Sequence, residues 1–155
     1  TLKLPFDERR LMSRSAFLDD IAMSLGGYVA EKEIFGDITT GPSNDLEVAS
    51  AMARHMVMRY GMSTLGPIAF VPEGEGRSVF YGKEYSEVYG EKIDDEVKRI
   101  MDDAWNRARL IITDKRAALT SIAEELMRVE NIEREEFDKL LLVNGITPKK
   151  KEEIV

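Results

Sequence analysis

The residues with the clearest chemical potential lie at positions 39–46, which read Thr-Thr-Gly-Pro-Ser-Asn-Asp-Leu. The first four are typical of a loop, and an amphipathic helix is predicted to follow. Ser43 or Asn44 is expected to cap this helix, because a short polar side chain accepts a free backbone N–H at a helix start. Asp45 would then lie in the first turn, where the helix dipole favours the ionised carboxylate that metal binding requires.

Two interpretations of Asp45 remain open at this point. Acidic residues are common in the first turn of any helix, so Asp45 can serve the helix alone. However, Asp45 shares a stripe with Ala49, Met52 and Met56, which predicts that it heads the buried face. A buried carboxylate needs a metal ion or a cationic partner, and this favours the metal-ligand interpretation.

His55 is the only histidine in the chain, and its spacing excludes it as a second ligand of the same ion. At about 1.5 Å per residue, it lies roughly 15 Å from Asp45 along one helix. We therefore interpret His55 as an ordinary helix residue.

Five short blocks occur in a fixed order along the chain: Leu-Met-Ser-Arg-Ser at 11–15, Gly-Gly-Tyr-Val-Ala-Glu at 26–31 with Ile-Phe-Gly at 34–36, Thr-Thr-Gly to Asn-Asp-Leu within 39–46, Tyr-Gly-Met-Ser at 60–63 and Leu-Gly-Pro-Ile-Ala-Phe at 65–70. In these blocks the chain resembles the peptidase domain of the FtsH family of membrane-anchored, ATP-dependent zinc metalloproteases. The resemblance covers nearly all of residues 1–142.

The resemblance implies a zinc site to which this chain contributes one residue. In that family an H-E-x-x-H helix supplies two zinc-binding histidines and a catalytic glutamate, and the aspartate of the T-T-G-x-x-N-D block supplies the third protein ligand. Asp45 is thereby implied to be the zinc ligand. The chain contains no H-E-x-x-H, so we expect an incomplete zinc site, no catalytic residue in this chain and a general base upstream. Residues 1–143 then look like the C-terminal portion of a zinc metallopeptidase domain that is inactive alone.

The resemblance also implies a larger parent protein. The resemblance implies that its peptidase domain is coupled to a hexameric, ATP-driven unfolding ring, with ATP bound in another domain. Membrane and damaged proteins would be its substrates, and the domain would lie on the cytoplasmic side of a bacterial inner membrane or an organelle membrane. This chain would supply the third zinc ligand, substrate-side elements and subunit packing. The alternative is a noncatalytic helical assembly module or a degenerate relative.

Composition restricts the remaining classes of function. At 155 residues and 43% hydrophobic content, the chain is long enough for one domain with a core. Its 22 basic and 29 acidic residues give a net charge of −7, which disfavours nonspecific binding to nucleic acid. It has no cysteine and therefore no disulfide. No apolar run approaches the length of about 18 residues that would predict direct membrane insertion.

Apolar periodicity predicts an all-α helical bundle. We expect helices near 15–33, 44–59, 89–113, 118–127 and 137–141. The pair Gly26-Gly27 marks either a helix end or a close backbone contact within a continuing helix, and the apolar period through Val29 favours the second. Residues 144–155 are too polar to fold and are predicted to form a disordered tail.

A short β-like excursion is predicted near residues 65–81, with possible strands at 65–71 and 78–81. In a protease, an exposed strand could bind an extended substrate through backbone hydrogen bonds, whereas the alternative is a plain surface connection. The charged residues of the third helix are interpreted as a solvated face: Asp94, Asp95, Glu96, Lys98 and Arg99.

Overall fold

The computed structural model describes residues 11–70 and 85–147. Helices account for 72% of these residues, and no strand occurs among them, which confirms the predicted all-α class. The helices are α1 Arg14–Ser24, α2 Gly26–Phe35, α3 Ser43–Met58, α4 Glu87–Asp114, α5 Arg116–Val129 and α6 Arg134–Val143. No helix in the described ranges has the length and apolar character needed to span a bilayer.

The first predicted helix is divided into α1 and α2 at Leu25. The Leu25 N–H still bonds to the Ile21 carbonyl at 3.1 Å, and the Leu25 carbonyl accepts the Val29 N–H at 3.0 Å. Helical structure therefore continues past Gly26 and Gly27, as predicted. The expected close backbone contact is wrong, because a Cβ added at either glycine would meet no atom within 4 Å.

The residue that caps the start of α3 is not one of the two that were predicted. Pro42 occupies the N-cap position, and no side chain accepts a hydrogen bond there. The Pro42 carbonyl accepts the Leu46 N–H at 3.0 Å, so the helix already begins at Ser43. The predicted cap by Ser43 or Asn44 is therefore wrong, because both residues lie within the first turn and not before it.

The segment after α3 folds back onto the end of that helix. The Met62 N–H donates to the Met56 carbonyl at 2.8 Å. The Phe70 N–H donates to the Met58 carbonyl at 2.7 Å. Within residues 65–70, the Phe70 N–H is thus bonded to α3, and the Ile68 N–H bonds to the Gly66 carbonyl at 2.9 Å. These residues form no strand, and the prediction of a strand there is wrong. The rest of the predicted excursion, 71–81, falls outside the described residues, as does most of the predicted tail.

Gly61 makes this reversal possible. Its φ is +60°, a left-handed conformation that side chains rarely adopt. A Cβ at this position would also lie only 3.0 Å from Pro67 Cα. The glycine of the Tyr-Gly-Met-Ser block therefore serves both a backbone conformation and a close chain contact.

The chain divides into two compact units, which we call unit 1 (residues 1–109) and unit 2 (residues 110–155). In unit 1, side chains of α1, Leu25, α3 and α4 form the main core: Phe17, Ile21, Ala22, Leu25, Ala49, Met52, Ala53, Met56, Val57, Ile93, Ile100 and Ala104. In unit 2, α5 and α6 pack against each other. Ala118 is the only buried apolar residue of unit 2 within its described range.

Candidate functional site

Asp45 lies in the first turn of α3, as predicted, but its side chain is exposed. Along the same stripe of the helix, burial begins at Ala49 and continues through Met52 and Met56. The prediction that Asp45 heads the buried face is therefore wrong, because the first turn extends beyond the core. Burial alone does not require Asp45 to have a partner, and its carboxylate is open to a ligand.

The loop that leads to Asp45 is held by Glu31 of α2. One Glu31 carboxylate oxygen accepts the Thr39 N–H at 2.8 Å. The Thr39 hydroxyl donates to the same carboxylate, with oxygen distances of 3.0 and 3.1 Å. The hydroxyl oxygen in turn accepts the Gly41 N–H at 3.1 Å. A continuous set of hydrogen bonds thus connects α2 to the residues immediately before α3.

Two glycines allow this arrangement. Gly36 ends α2 with φ +72°, and its N–H bonds to the Lys32 carbonyl at 3.1 Å. At Gly41, an added Cβ would lie 3.2 Å from the Thr39 hydroxyl oxygen. No helical spacing rule predicts the contact of Glu31 with Thr39, because the turn at Gly36 decides which loop residue returns to α2. Sequence analysis therefore missed both residues, although each belongs to one of the ordered blocks.

The described residues supply one candidate zinc ligand but no ligand set. No group of three His, Cys, Asp or Glu side chains in the described ranges could hold a metal ion. A catalytic zinc takes three protein ligands, and a carboxylate oxygen is an accepted ligand type. The exposed Asp45 carboxylate suits such a role only together with ligands from elsewhere.

His55 lies in the last turn of α3, at the opposite end from Asp45. Its ring meets the Tyr60 ring edge-on, with 6.4 Å between the centroids. Partial burial, followed by the positive charge of Arg59, lowers the pKa of His55 below its usual value. The imidazole is therefore neutral at physiological pH, in a position that does not serve the Asp45 site.

An ion pair with a buried carboxylate lies on α4, where the side chain of its partner Arg99 is 39% exposed. Glu96 is 8% exposed, and both of its carboxylate oxygens accept hydrogen bonds from Arg99 at 2.9 Å. One of these oxygens also accepts the Thr64 N–H at 2.9 Å. The bonds from Arg99, helped by that of Thr64, lower the pKa of Glu96 to about 2, although burial opposes the shift. The prediction that Glu96 belongs to a solvated face is therefore wrong.

The sequence profile of peptidase family M41 matches residues 1–140. Among similar curated proteins, the ATP-dependent zinc metalloprotease FtsH of Thermotoga maritima is 43% identical over 148 residues, which cover 91% of this chain and 24% of that protein. FtsH 1 of Conexibacter woesei is 42% identical over 146 residues, covering 91% of this chain and 22% of that protein. FtsH of Bacillus subtilis is 38% identical over 154 residues, covering 95% and 24%.

These matches confirm the resemblance to the FtsH family that the ordered blocks indicated. The chain spans about a quarter of the length of the curated relatives it matches.

Proposed function

Because this chain belongs to peptidase family M41, we propose that it is part of a zinc metalloendopeptidase and contributes Asp45 as a protein ligand of the zinc ion. The observation that carries the proposal is the placement of Asp45. Its carboxylate is exposed in the first turn of α3, directly after a loop that Glu31 and Thr39 hold in one conformation. A ligand needs both an accessible oxygen and a fixed backbone, and Asp45 has both.

Within that enzyme, zinc would lower the pKa of a bound water molecule and polarise the scissile carbonyl. Asp45 would hold its oxygen at the metal and offset part of the metal charge. Glu31, Thr39 and Gly41 would keep the preceding loop in place, so that α3 presents this oxygen in one direction. The two histidines and the general base are expected from an H-E-x-x-H segment, which is absent from the sequence of this chain. We therefore expect no peptidase activity and only weak zinc binding from the chain alone.

The wider activity is proposed from the relatives. The curated relatives are named as ATP-dependent zinc metalloproteases. We propose that the full-length protein binds ATP in another domain, forms a hexameric ring and degrades membrane and damaged proteins. In this arrangement the chain lies on the cytoplasmic side of a membrane to which the parent is anchored. Its net charge of −7 disfavours nonspecific binding to nucleic acid.

A second candidate, the noncatalytic assembly module, is favoured by one feature of unit 2. Met127 and Val143 are both 85% exposed, together with five other large apolar side chains: Leu110, Ile111, Leu126, Phe137 and Leu142. Apolar surface of this kind often marks contact with another protein. In this role Asp45 would only interact with the dipole of α3.

The Asp45→Asn variant of the full-length protein distinguishes the two candidates. The substitution keeps the shape of the side chain but removes its charge, so we expect zinc content and casein degradation to fall at least about tenfold. ATP turnover should be unchanged, because it is proposed for another domain. The three quantities are measured on the same preparation, with Glu47→Gln as the control, since Glu47 is also an exposed carboxylate on α3.

Full zinc content with unimpaired degradation in Asp45→Asn would rule out the ligand role. The assembly module predicts that result, together with a stability loss of only roughly 0.3–1 kcal/mol from the altered helix start.

A further inference from the structure

The segment after α3 is the cap of that helix. The last carbonyls of a helix have no partner within it and must find other donors. At the end of α3, the Met62 N–H satisfies Met56 and the Phe70 N–H satisfies Met58, at 2.8 and 2.7 Å. Residues 61–70, which we call the foot loop, are thus joined to the helix whose first turn carries Asp45. A displacement of α3 along its axis would have to move the foot loop as well.

Two side chains from other helices hold the foot loop. Arg14, at the start of α1, donates from Nε to the Met62 carbonyl at 3.1 Å. Glu96, on α4, accepts the Thr64 N–H at 2.9 Å. The foot loop is therefore connected to three helices of unit 1, and the contact from α4 is made by a charged group.

Burying the charged carboxylate of Glu96 costs free energy, so its position calls for an explanation other than stability. A carboxylate loses its hydration when it is buried, so an ion pair with a buried carboxylate contributes little stability compared with apolar side chains of similar volume. Glu96 is 8% exposed, and its carboxylate accepts two hydrogen bonds from the Arg99 guanidinium. Arg99 also donates to the Asp103 carboxylate at 3.2 Å. This arrangement fixes the carboxylate so that one oxygen faces the Thr64 N–H. The Glu96 carboxylate is therefore placed to hold the foot loop through the Thr64 N–H. An apolar side chain could not accept that hydrogen bond.

We infer that Glu96 is a positioning residue: by holding Thr64 it fixes the foot loop and, through the cap, the helix that carries Asp45. The consequence for zinc rests on the proposed function, whereas the hold on the foot loop does not. A merely stabilising ion pair would protect all core amides alike. A positioning residue protects the foot loop specifically.

The test compares amide hydrogen exchange in Glu96→Gln with the unmodified 155-residue chain. We expect the Thr64 amide to exchange about tenfold faster or more, because its hydrogen bond to a charged, oriented acceptor is weakened. Core amides of α1 and α3, such as those of Ile21 and Ala53, exchange through global unfolding, so they should accelerate only by the factor that the measured loss of unfolding free energy predicts. Asp102→Asn is the matched control, since it removes a carboxylate from the exposed ion pair of Lys98 and Asp102 on the same helix.

Arg99→Lys provides a second variant if Glu96→Gln folds poorly. It keeps the positive charge but loses the two-pronged bond, so its effect on Thr64 should have the same location and be smaller. Unchanged exchange at Thr64, or an increase at Thr64 that the loss of global stability fully explains, would overturn the inference.

A second readout concerns zinc in the full-length protein. Release of zinc to a chromogenic chelator should become severalfold faster in Glu96→Gln, and should not change in Asp102→Asn. Equal rates of zinc release in Glu96→Gln and Asp102→Asn would refute the connection between Glu96 and the position of α3. Normal zinc content in Asp45→Asn overturns the proposed function, whereas unchanged Thr64 exchange overturns the present inference, so the two failures are distinguishable.

Discussion

The two units of the chain bury their apolar side chains to very different extents. Unit 1 surrounds a core in which Ile21 and Met56 are fully buried. Unit 2 has Ala118 as its single buried apolar residue in the described range, while Met127 and Val143 are almost fully exposed. Two helices share one seam, whereas several helices can enclose a common core. The comparison teaches that amphipathic patterns of similar appearance produce a core only where enough helices converge.

Ionic contacts differ between the units in the same way. Glu96 and Arg99 in unit 1 form a pair whose carboxylate is buried and also accepts a backbone N–H. Glu125 and Arg128 in unit 2 have the same spacing, but their pair lies at the surface of α5. Ion pairs with the same sequence spacing therefore contribute differently to stability, because the surroundings of each pair set its desolvation and its further hydrogen bonds.

The largest expected difference is between two isoleucines of α4. Ile100 is 1% exposed in unit 1 and Ile111 is 53% exposed in unit 2. We expect Ile100→Ala to lower the free energy of unfolding by about 2–5 kcal/mol, because it leaves a cavity in the core. Ile111→Ala should change it by no more than about 0.5 kcal/mol, since alanine also favours the helix. Urea denaturation followed by circular dichroism measures both, and similar losses would contradict the contrast between the units.

The next difference concerns the two glutamates. At pH 7, Glu96→Gln should lower the free energy of unfolding by about 1–3 kcal/mol, because a buried, charge-assisted set of hydrogen bonds is weakened. Glu125→Gln should give an unchanged denaturation midpoint, since water already screens its pair. An equal effect of the two substitutions would show that the burial of Glu96 has no energetic consequence.

The pH dependence sharpens this second prediction. The pKa of Glu96 falls from an ordinary value of 4.5 to about 2 in the folded chain. The stabilisation is therefore fully present above about pH 4.5 and is lost as the pH falls toward 2. Denaturation curves of the unmodified chain and of Glu96→Gln should converge over this interval. A constant difference down to pH 2 would mean that ionisation of Glu96 is not its cause.

The smallest expected difference is between two left-handed glycines. Gly61 has φ +60° and Gly145 has φ +72°. Among the described residues, alanine at Gly145 meets no neighbouring atom within 4 Å, whereas its Cβ at Gly61 would approach Pro67 Cα at 3.0 Å. Both substitutions strain the backbone, and we expect Gly61→Ala to lose about 1–2 kcal/mol more than Gly145→Ala. Equal melting temperatures for the two variants would argue against a tight foot loop.

The sequence predicted the helices well because apolar residues repeat with the period of the helix. It also placed Asp45 in a first turn, since this depends on neighbouring residues only. The ordered blocks led to the FtsH family, which the comparisons confirm. These are local or linear properties, and a single sequence contains them.

Four features were decided only by the tertiary structure. Asp45 is exposed because the core begins one turn later, at Ala49. Residues 65–70 form no strand, because the Phe70 amide bonds to the end of α3 and the Gly66 and Ile68 amides bond within the loop.

Glu31 meets Thr39 across the turn at Gly36, and Glu96 meets Thr64 although 32 residues separate them in sequence. Periodicity states which face of a helix is apolar, but not how far the neighbouring helices extend along it. Polar contacts depend on that extent. The helices of this chain could therefore be predicted from its sequence, whereas the side chains that bond to its loops, Glu31 and Glu96, could not.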